Sequence, residues 1–352
     1  MNDTDPKLTG VFLAFLALVF TIALTFATVE APRALNSVLV KHLDYPDYNP
    51  AIEPEVIDEF MRQYQIREIG YASLAILLVL IVVGFVTGKS GLSALGSLAF
   101  FLPTFGYFAA SMFFLTGIGL VRLLWVPLWS WSTTLLRLGD IVYLPYVLLV
   151  YPAALMGVQV RRSVALLTIG VGLLIFFLGT MAWIYARFRG RSIVNFWIYR
   201  YSRHPQYLGF IIWSYGLMLL ASQTPIPLGG QNPGASFPWA ISSLLVIGVA
   251  LSEEAQMARQ YGQGYEEYRR SAPFMFPLPQ FISSIIKVPV RIVLKKRPEN
   301  ARDILLALLL HGAIIVLLSL PFVLLKSPPG LGWSDWPRNV MSPLAPPPPP
   351  QR

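Results

Sequence analysis

Val164–Tyr185 reads VALLTIGVGLLIFFLGTMAWIY, a run without one charged side chain. An α-helix rises about 1.5 Å per residue, so a run of this length matches the roughly 30 Å hydrocarbon layer of a bilayer. Lipid cannot satisfy open backbone groups, which leaves the helix as the form for an isolated apolar run. Comparable runs lie at Leu8–Val29, Tyr71–Thr87, Leu92–Leu120, Ile141–Val158, Tyr207–Ala221, Phe237–Leu251 and Ile304–Leu325. Composition points the same way. Of 352 residues 55% are hydrophobic and only 13% charged, and the mean hydropathy is +0.59, whereas soluble domains carry about a quarter charged residues. These features predict an all-α fold, a polytopic transmembrane helical bundle of about eight spans. Trp125–Ser132 reads as an interfacial or re-entrant piece, since Trp favours the headgroup zone. Asp3 and Asp5 leave no basic segment before Leu8–Val29, so that run reads as an uncleaved anchor.

The formal net charge of +9 raises the possibility of nucleic acid, but its distribution argues against it. Arg187, Arg189, Arg191, Arg200 and Arg203 precede one span; Arg259, Arg269, Arg270, Lys287, Arg291, Lys295, Lys296, Arg297 and Arg302 separate the next two. Bases clustered beside spans follow the positive-inside pattern, with anionic membrane lipids as counter-charge. The uncharged connection Gln223–Ser236 belongs on the opposite face, which places both basic loops and the long loop Glu30–Glu68 on the cytoplasmic side. Arg161 and Arg162 fall on the outer side in this scheme and fit it less well. The long loop Glu30–Glu68, with its acidic, Pro-rich portion Asp47–Glu59, reads as a solvated connector, with a lid or a partner site as the alternative. With no cysteine, disulfides, thiolate catalysis and Cys-based metal sites are excluded. His42, His204 and His311 have no metal-ligand spacing, so no metal is expected.

Tyr199–Gly209 reads YRYSRHPQYLG. Pro205 disfavours helix at His204 and suits the first turn of a following helix. The N–H groups and positive dipole end there favour an anion, such as a carboxylate. His204 can donate a hydrogen bond to it, Arg200 and Arg203 add positive field, and Tyr199, Tyr201 and Tyr207 offer aromatic faces to an adenine or a sulfonium. Ser252–Tyr268 reads SEEAQMARQYGQGYEEY. If the two apolar runs form an antiparallel hairpin, Glu253 and Glu254 return to the face of His204 and can hold an ammonium or ribose hydroxyls. Taken singly, Arg-His at a helix start is an interfacial anchor and Glu-Glu after a span is a solvated helix end.

Together, His-Pro-x-Tyr, the paired glutamates and Gly-x-x-Tyr-x-x-Tyr at Gly262, Tyr265 and Tyr268 resemble the cofactor half of the isoprenylcysteine carboxyl methyltransferase and phospholipid methyltransferase superfamily over about Arg191–Pro277. The resemblance implies an integral membrane enzyme using S-adenosyl-L-methionine, with a C-terminal cofactor-binding helical hairpin. It implies cofactor contacts from Arg191, Ser192, Ile193 and Val194 (a lining loop), from Tyr199, from His204, Pro205, Gln206 and Tyr207, and from Glu253. An amine acceptor must lose a proton, and Glu254 is then the first candidate catalytic base. Trp197 stands where family members often have Gly. Val249 stands where prenylcysteine enzymes place the Arg that orients a carboxylate, so a neutral or amine-bearing amphiphile is expected to serve better than farnesylcysteine. The partners implied are a lipid-like methyl acceptor and membrane lipids.

Residues 1–163 then form an N-terminal transmembrane region of unknown role and residues 164–285 a methyltransferase-like membrane core. Residues 286–326 hold a basic loop and the last span, and residues 327–352 a Pro-rich disordered tail. Two other readings share some of these residues. A sterol-type reductase using NADPH has a similar His-Pro-x-Tyr turn, but needs arginines around its acid segment, where Val246–Leu251 is wholly apolar. A non-enzymatic transport or assembly protein would retain a degenerate fold; the neutral spans mark no ion pathway, and Asp140 and Arg122 read as interfacial.

Overall fold

The computed structural model describes residues 6–42, 72, 137–221 and 236–324, and every regular element among them is helical. In chain order these are α1 (Pro6–His42), a 3-10 turn (Asp140–Tyr143), α2 (Leu144–Leu155), α3 (Arg161–Phe188), a second 3-10 turn (Trp197–Arg200), α4 (Pro205–Ala221), α5 (Ser236–Ser271), α6 (Gln280–Leu294) and α7 (Ala301–Leu324).

Glycine sets the closest packing. Gly172 and Gly179 on α3 and Gly209 and Gly216 on α4 recur at two-turn spacing and face one another. A Cβ on Gly172 would lie 2.2 Å from the backbone nitrogen of Trp213, and one on Gly209 would lie 2.5 Å from that of Phe176. In lipid, where no hydrophobic force separates one apolar partner from another, close backbone approach is a main source of helix association. α1 lays Leu13, Ala17, Phe20 and Leu24 against this pair, and the Phe20 and Phe176 rings stack at 6.4 Å. Hydroxyls inside α1 are satisfied locally: Thr21 donates to the Ala17 carbonyl and Thr25 to that of Thr21. Leu148, Leu167, Leu174, Leu305 and Leu317 point outward and are exposed, as a lipid-facing surface requires.

Among the described residues, four helices are long and apolar enough to cross a membrane: α1 (through Gly10–Thr28), α3, α5 and α7. The expected spans Tyr71–Thr87 and Leu92–Leu120, the segments Trp125–Ser132 and Asp47–Glu59, and the proline tail lie outside the described residues. Ile141–Val158 differs from expectation: a 3-10 turn uses its first residues, and α2 has 12 residues, about 18 Å at 1.5 Å each. α4, described over 17 residues, lies at the lower limit of crossing length. α5, at 36 residues, is longer than the layer is thick, and its apolar part ends near Leu251.

Where α5 begins, a buried polar cluster ties three elements. Arg137 donates to Asp140 (2.9 Å) and to the Phe322 carbonyl of α7 (3.0 Å), Ser236 donates to Asp140 (2.7 Å), and the Ile141 amide donates to Ser319 (3.2 Å). Asp140, expected at an interface, is 5% exposed, because Ser236 and Arg137 supply the donors that water would otherwise give. Ser214 on α4 accepts from Trp239 on α5 (3.1 Å), while Tyr207 meets Glu253, so contacts between α4 and α5 run in opposite senses along the two helices.

Candidate functional site

The site lies where α4 begins and the apolar part of α5 ends. Pro205 opens α4 as its first residue, and the Leu208 amide donates to the His204 carbonyl at 2.9 Å, so His204 caps the helix. Its imidazole lies between two carboxylates: Nε2 is 3.2 Å from Glu254 Oε1 and Nδ1 is 3.8 Å from Glu253 Oε2. Phe274 meets the ring edge-on at 5.2 Å, and Tyr207 lies at 5.6 Å.

The two glutamates, adjacent in sequence, have opposite surroundings. The Glu254 side chain is 3% exposed and receives Arg203 in a two-pronged grip, Nε at 2.6 Å and Nη2 at 2.9 Å. Arg269 Nε reaches it at 3.1 Å, and the Tyr265 hydroxyl donates to it at 2.9 Å. Two guanidinium groups hold it ionised, and its lone pairs are used by the protein itself. Glu253 is 40% exposed; the Tyr207 hydroxyl donates to Oε1 at 2.5 Å, and among the described residues Oε2 has only the longer approach of His204. Glu253 therefore retains acceptor capacity toward a ligand.

Gly262 explains the second motif. Tyr265 is 11 residues beyond Glu254, about 16 Å along a straight helix, out of a tyrosine's reach. Gly262 takes φ 53°, ψ −127°, a conformation that side-chain-bearing residues avoid, and the bend turns the end of α5 back. Tyr265 then reaches Glu254, and Tyr268 donates to the Tyr199 carbonyl at 2.8 Å. Arg203 fastens the same segment by donating from Nη1 to the carbonyls of Arg269 (2.8 Å) and Ala272 (2.5 Å), and its amide donates to Pro273 (3.0 Å).

The other predicted residues fall into two groups. Tyr199 is buried beneath α4, and its hydroxyl donates to Gln206 Oε1 at 3.2 Å; Gln206 in turn faces Thr180 on α3 at 3.5 Å. Burial holds the Tyr199 phenol well above its ordinary pKa, so it stays a neutral donor. Arg191 and Ser192 are exposed, and the Arg191 guanidinium lies 5.3 Å from the Phe196 ring. Val194 is half-buried, and Ile193 packs against the Tyr265–Tyr268 cluster, which brings the loop to the bent end of α5. Trp197 has φ 50°, is half-exposed, and meets Tyr185 at 5.2 Å and Phe196 at 5.4 Å. A left-handed position that glycine would fill without strain is thus occupied by an aromatic side chain. Sequence reasoning missed Arg269 as a partner of Glu254, Phe274 beside His204, and the facing glycines. Only the last had a visible signal, in the matched seven-residue spacing of Gly172/Gly179 and Gly209/Gly216.

Among the described residues no group of His, Asp and Glu is arranged to hold a metal ion. Residues 153–227 match the profile of the isoprenylcysteine carboxyl methyltransferase family, from the end of α2 through α4. The match begins earlier than the motif resemblance and stops before Glu253. A Protein-S-isoprenylcysteine O-methyltransferase of Schizosaccharomyces pombe is 33% identical over 95 residues, 26% of this chain and 36% of that protein. The chain thus matches about a third of that relative's length. No solved structure matches. The helix pair α3–α4, with the turn that carries His204 and Tyr207, is therefore similar to a segment of the isoprenylcysteine carboxyl methyltransferase family.

Proposed function

We propose that this protein is a membrane-embedded methyltransferase that uses S-adenosyl-L-methionine and methylates a lipid-like acceptor, with its site facing the cytoplasm. The observation that carries this reading is the state of Glu253, a half-exposed carboxylate with one oxygen fixed by Tyr207 and the other open beside His204. The donor set fits the ligand: Glu253 suits an α-ammonium, the His204 end of α4 suits a carboxylate, and the aromatic group of Tyr185, Phe196 and Trp197 suits an adenine or a sulfonium. When bound, S-adenosyl-L-methionine supplies a methyl group already activated for transfer.

The chain's own residues orient and exclude water. Glu253 and His204 hold the polar end of the ligand, while Tyr207 and Phe274 cover the imidazole. Glu254 is a positioning residue in this reading: its oxygens are occupied by Arg203, Arg269, Tyr265 and His204, which suits holding the imidazole better than accepting a proton. α4 and α5 together form the cofactor-binding hairpin of the proposal, and the about eight spans expected from the full sequence complete the acceptor's membrane environment. Val249, one turn before Glu253, packs with the apolar core and offers a carboxylate head no charge, which favours a neutral or amine-bearing amphiphile.

The test supplies purified protein with methyl-labelled S-adenosyl-L-methionine and, separately, membrane lipid extract and a farnesylcysteine analogue. Label in a lipid supports the whole reading. Label confined to the farnesylcysteine ester keeps the methyltransferase and overturns the inference from Val249. No transfer to either, with no S-adenosyl-L-methionine binding, overturns the function.

A further inference from the structure

The basic region between α5 and α7 contains a helix whose apolar face no described residue covers. In α6, Phe281, Ile285, Val288 and Ile292 follow four-three-four spacing, which is one stripe on a helix, and all four are exposed, Phe281 and Ile285 at 66% each. Lys287, Arg291 and Lys295 follow at four-residue intervals on the flank of that stripe, and Lys295 closes the helix in a left-handed conformation. Nearby cations are neutralised, Lys296 by Asp303 at 2.8 Å and Arg297 by Glu266 at 3.2 Å. Among the described residues no carboxylate comes within ion-pair distance of Lys287, Arg291 or Lys295. Burial, then the positive charges of Arg291, Arg203 and Arg297, lower the pKa of Lys287, a strain that an anion beside it would relieve.

A short helix with an apolar stripe and a row of unneutralised bases has the chemistry of a helix that lies in the plane of a membrane surface. At 15 residues it is about 22 Å long, too short to cross. Its attachment also suits that place. α6 packs on α7, where the His311 imidazole approaches the Ile286 carbonyl of α6 at 3.1 Å and its own Ala307 carbonyl at 2.8 Å. The segment just before it carries Pro273 and Phe274, which contact Arg203 and His204.

We infer that α6 is an in-plane anchor that seats Phe281, Ile285, Val288 and Ile292 among the acyl chains of an anionic leaflet, with Lys287, Arg291 and Lys295 on the lipid phosphates. This surface is separate from the proposed methyl-transfer site and does not depend on it. A cation at an anionic surface contributes about a fivefold preference, so three together contribute on the order of a hundredfold.

The test uses the full chain, which has no native cysteine, with a single reporter from Ile285→Cys or Ile292→Cys carrying an environment-sensitive fluorophore. The protein is reconstituted in phosphatidylcholine vesicles with and without phosphatidylglycerol. Expected is strong quenching by a nitroxide placed just below the lipid headgroups and little by aqueous iodide. The lipid quenching weakens severalfold without phosphatidylglycerol, in high salt, or when Lys287, Arg291 and Lys295 are all changed to Gln. Iodide quenching in every vesicle would overturn the anchor, because the face is then in water. Quenching by neither agent would overturn it too, because protein then covers the face. Lipid quenching indifferent to phosphatidylglycerol would overturn the anionic selectivity.

Discussion

At the start of α5, Asp140 is closed off: Ser236 and Arg137 donate to its two oxygens, and it is almost wholly buried. Eighteen residues on, about 27 Å along the helix, Glu254 is closed off in the same manner by Arg203, Arg269, Tyr265 and His204. The ends differ in one residue. Beside Glu254 stands Glu253, held by Tyr207 on one oxygen and open on the other. A buried charge that is fully partnered fixes the arrangement of helices, whereas a partly partnered, half-exposed carboxyl group facing the start of α4 has acceptor capacity to offer a ligand. Under the proposed function, the Asp140 end holds the helices together and the Glu253 end meets the ligand.

The largest effect is expected from Arg203→Ala. It leaves Glu254 buried with its main donor gone and releases the 269–273 segment, at about 3–5 kcal/mol of stability. A thermal midpoint in detergent unchanged from wild type would show that Glu254 does not need this partner. Gly262→Ala comes next, costing about 1–3 kcal/mol through backbone conformation alone, since a Cβ there meets open space. A variant as stable as the parent would mean that the bend does not depend on glycine. Tyr268→Phe removes one buried hydrogen bond to the Tyr199 carbonyl and is expected to cost about 1 kcal/mol. If its cost exceeded that of Arg203→Ala, the ranking of the network would be reversed. Asp140→Asn sharpens the contrast from the other side: it lowers the thermal midpoint modestly and leaves ligand affinity at the Glu253 end untouched.

Much of this architecture was legible because membrane helices are written in local apolar runs. Val164–Tyr185 and Ile304–Leu325 appear as α3 and α7, with three residues added at both ends of α3 and at the start of α7, which is described as far as Leu324. Ile141–Val158 misled, since an apolar run does not reveal a 3-10 start or an early stop at Met156 and Gly157. The turn before α4 was readable from Pro205, whose effect on backbone is local. The division of labour between Glu253 and Glu254 was not readable. It depends on Arg203 and Arg269, 51 and 15 residues from Glu254, and on the bend at Gly262. Glu254, the candidate base by sequence, is the better enclosed of the pair, and Arg269, read only as a charge near the membrane, is one of its partners.

The most direct test of the central claim is calorimetric titration of S-adenosyl-L-methionine into the purified wild-type chain, Glu253→Gln and Asp140→Asn. Loss of one charge-assisted hydrogen bond costs about 1.5–3 kcal/mol, so Glu253→Gln is expected to weaken binding roughly ten- to a hundredfold, with its thermal midpoint close to wild type. Asp140→Asn is expected to bind as wild type does. Equal affinity in wild type and Glu253→Gln, both folded, would contradict the account.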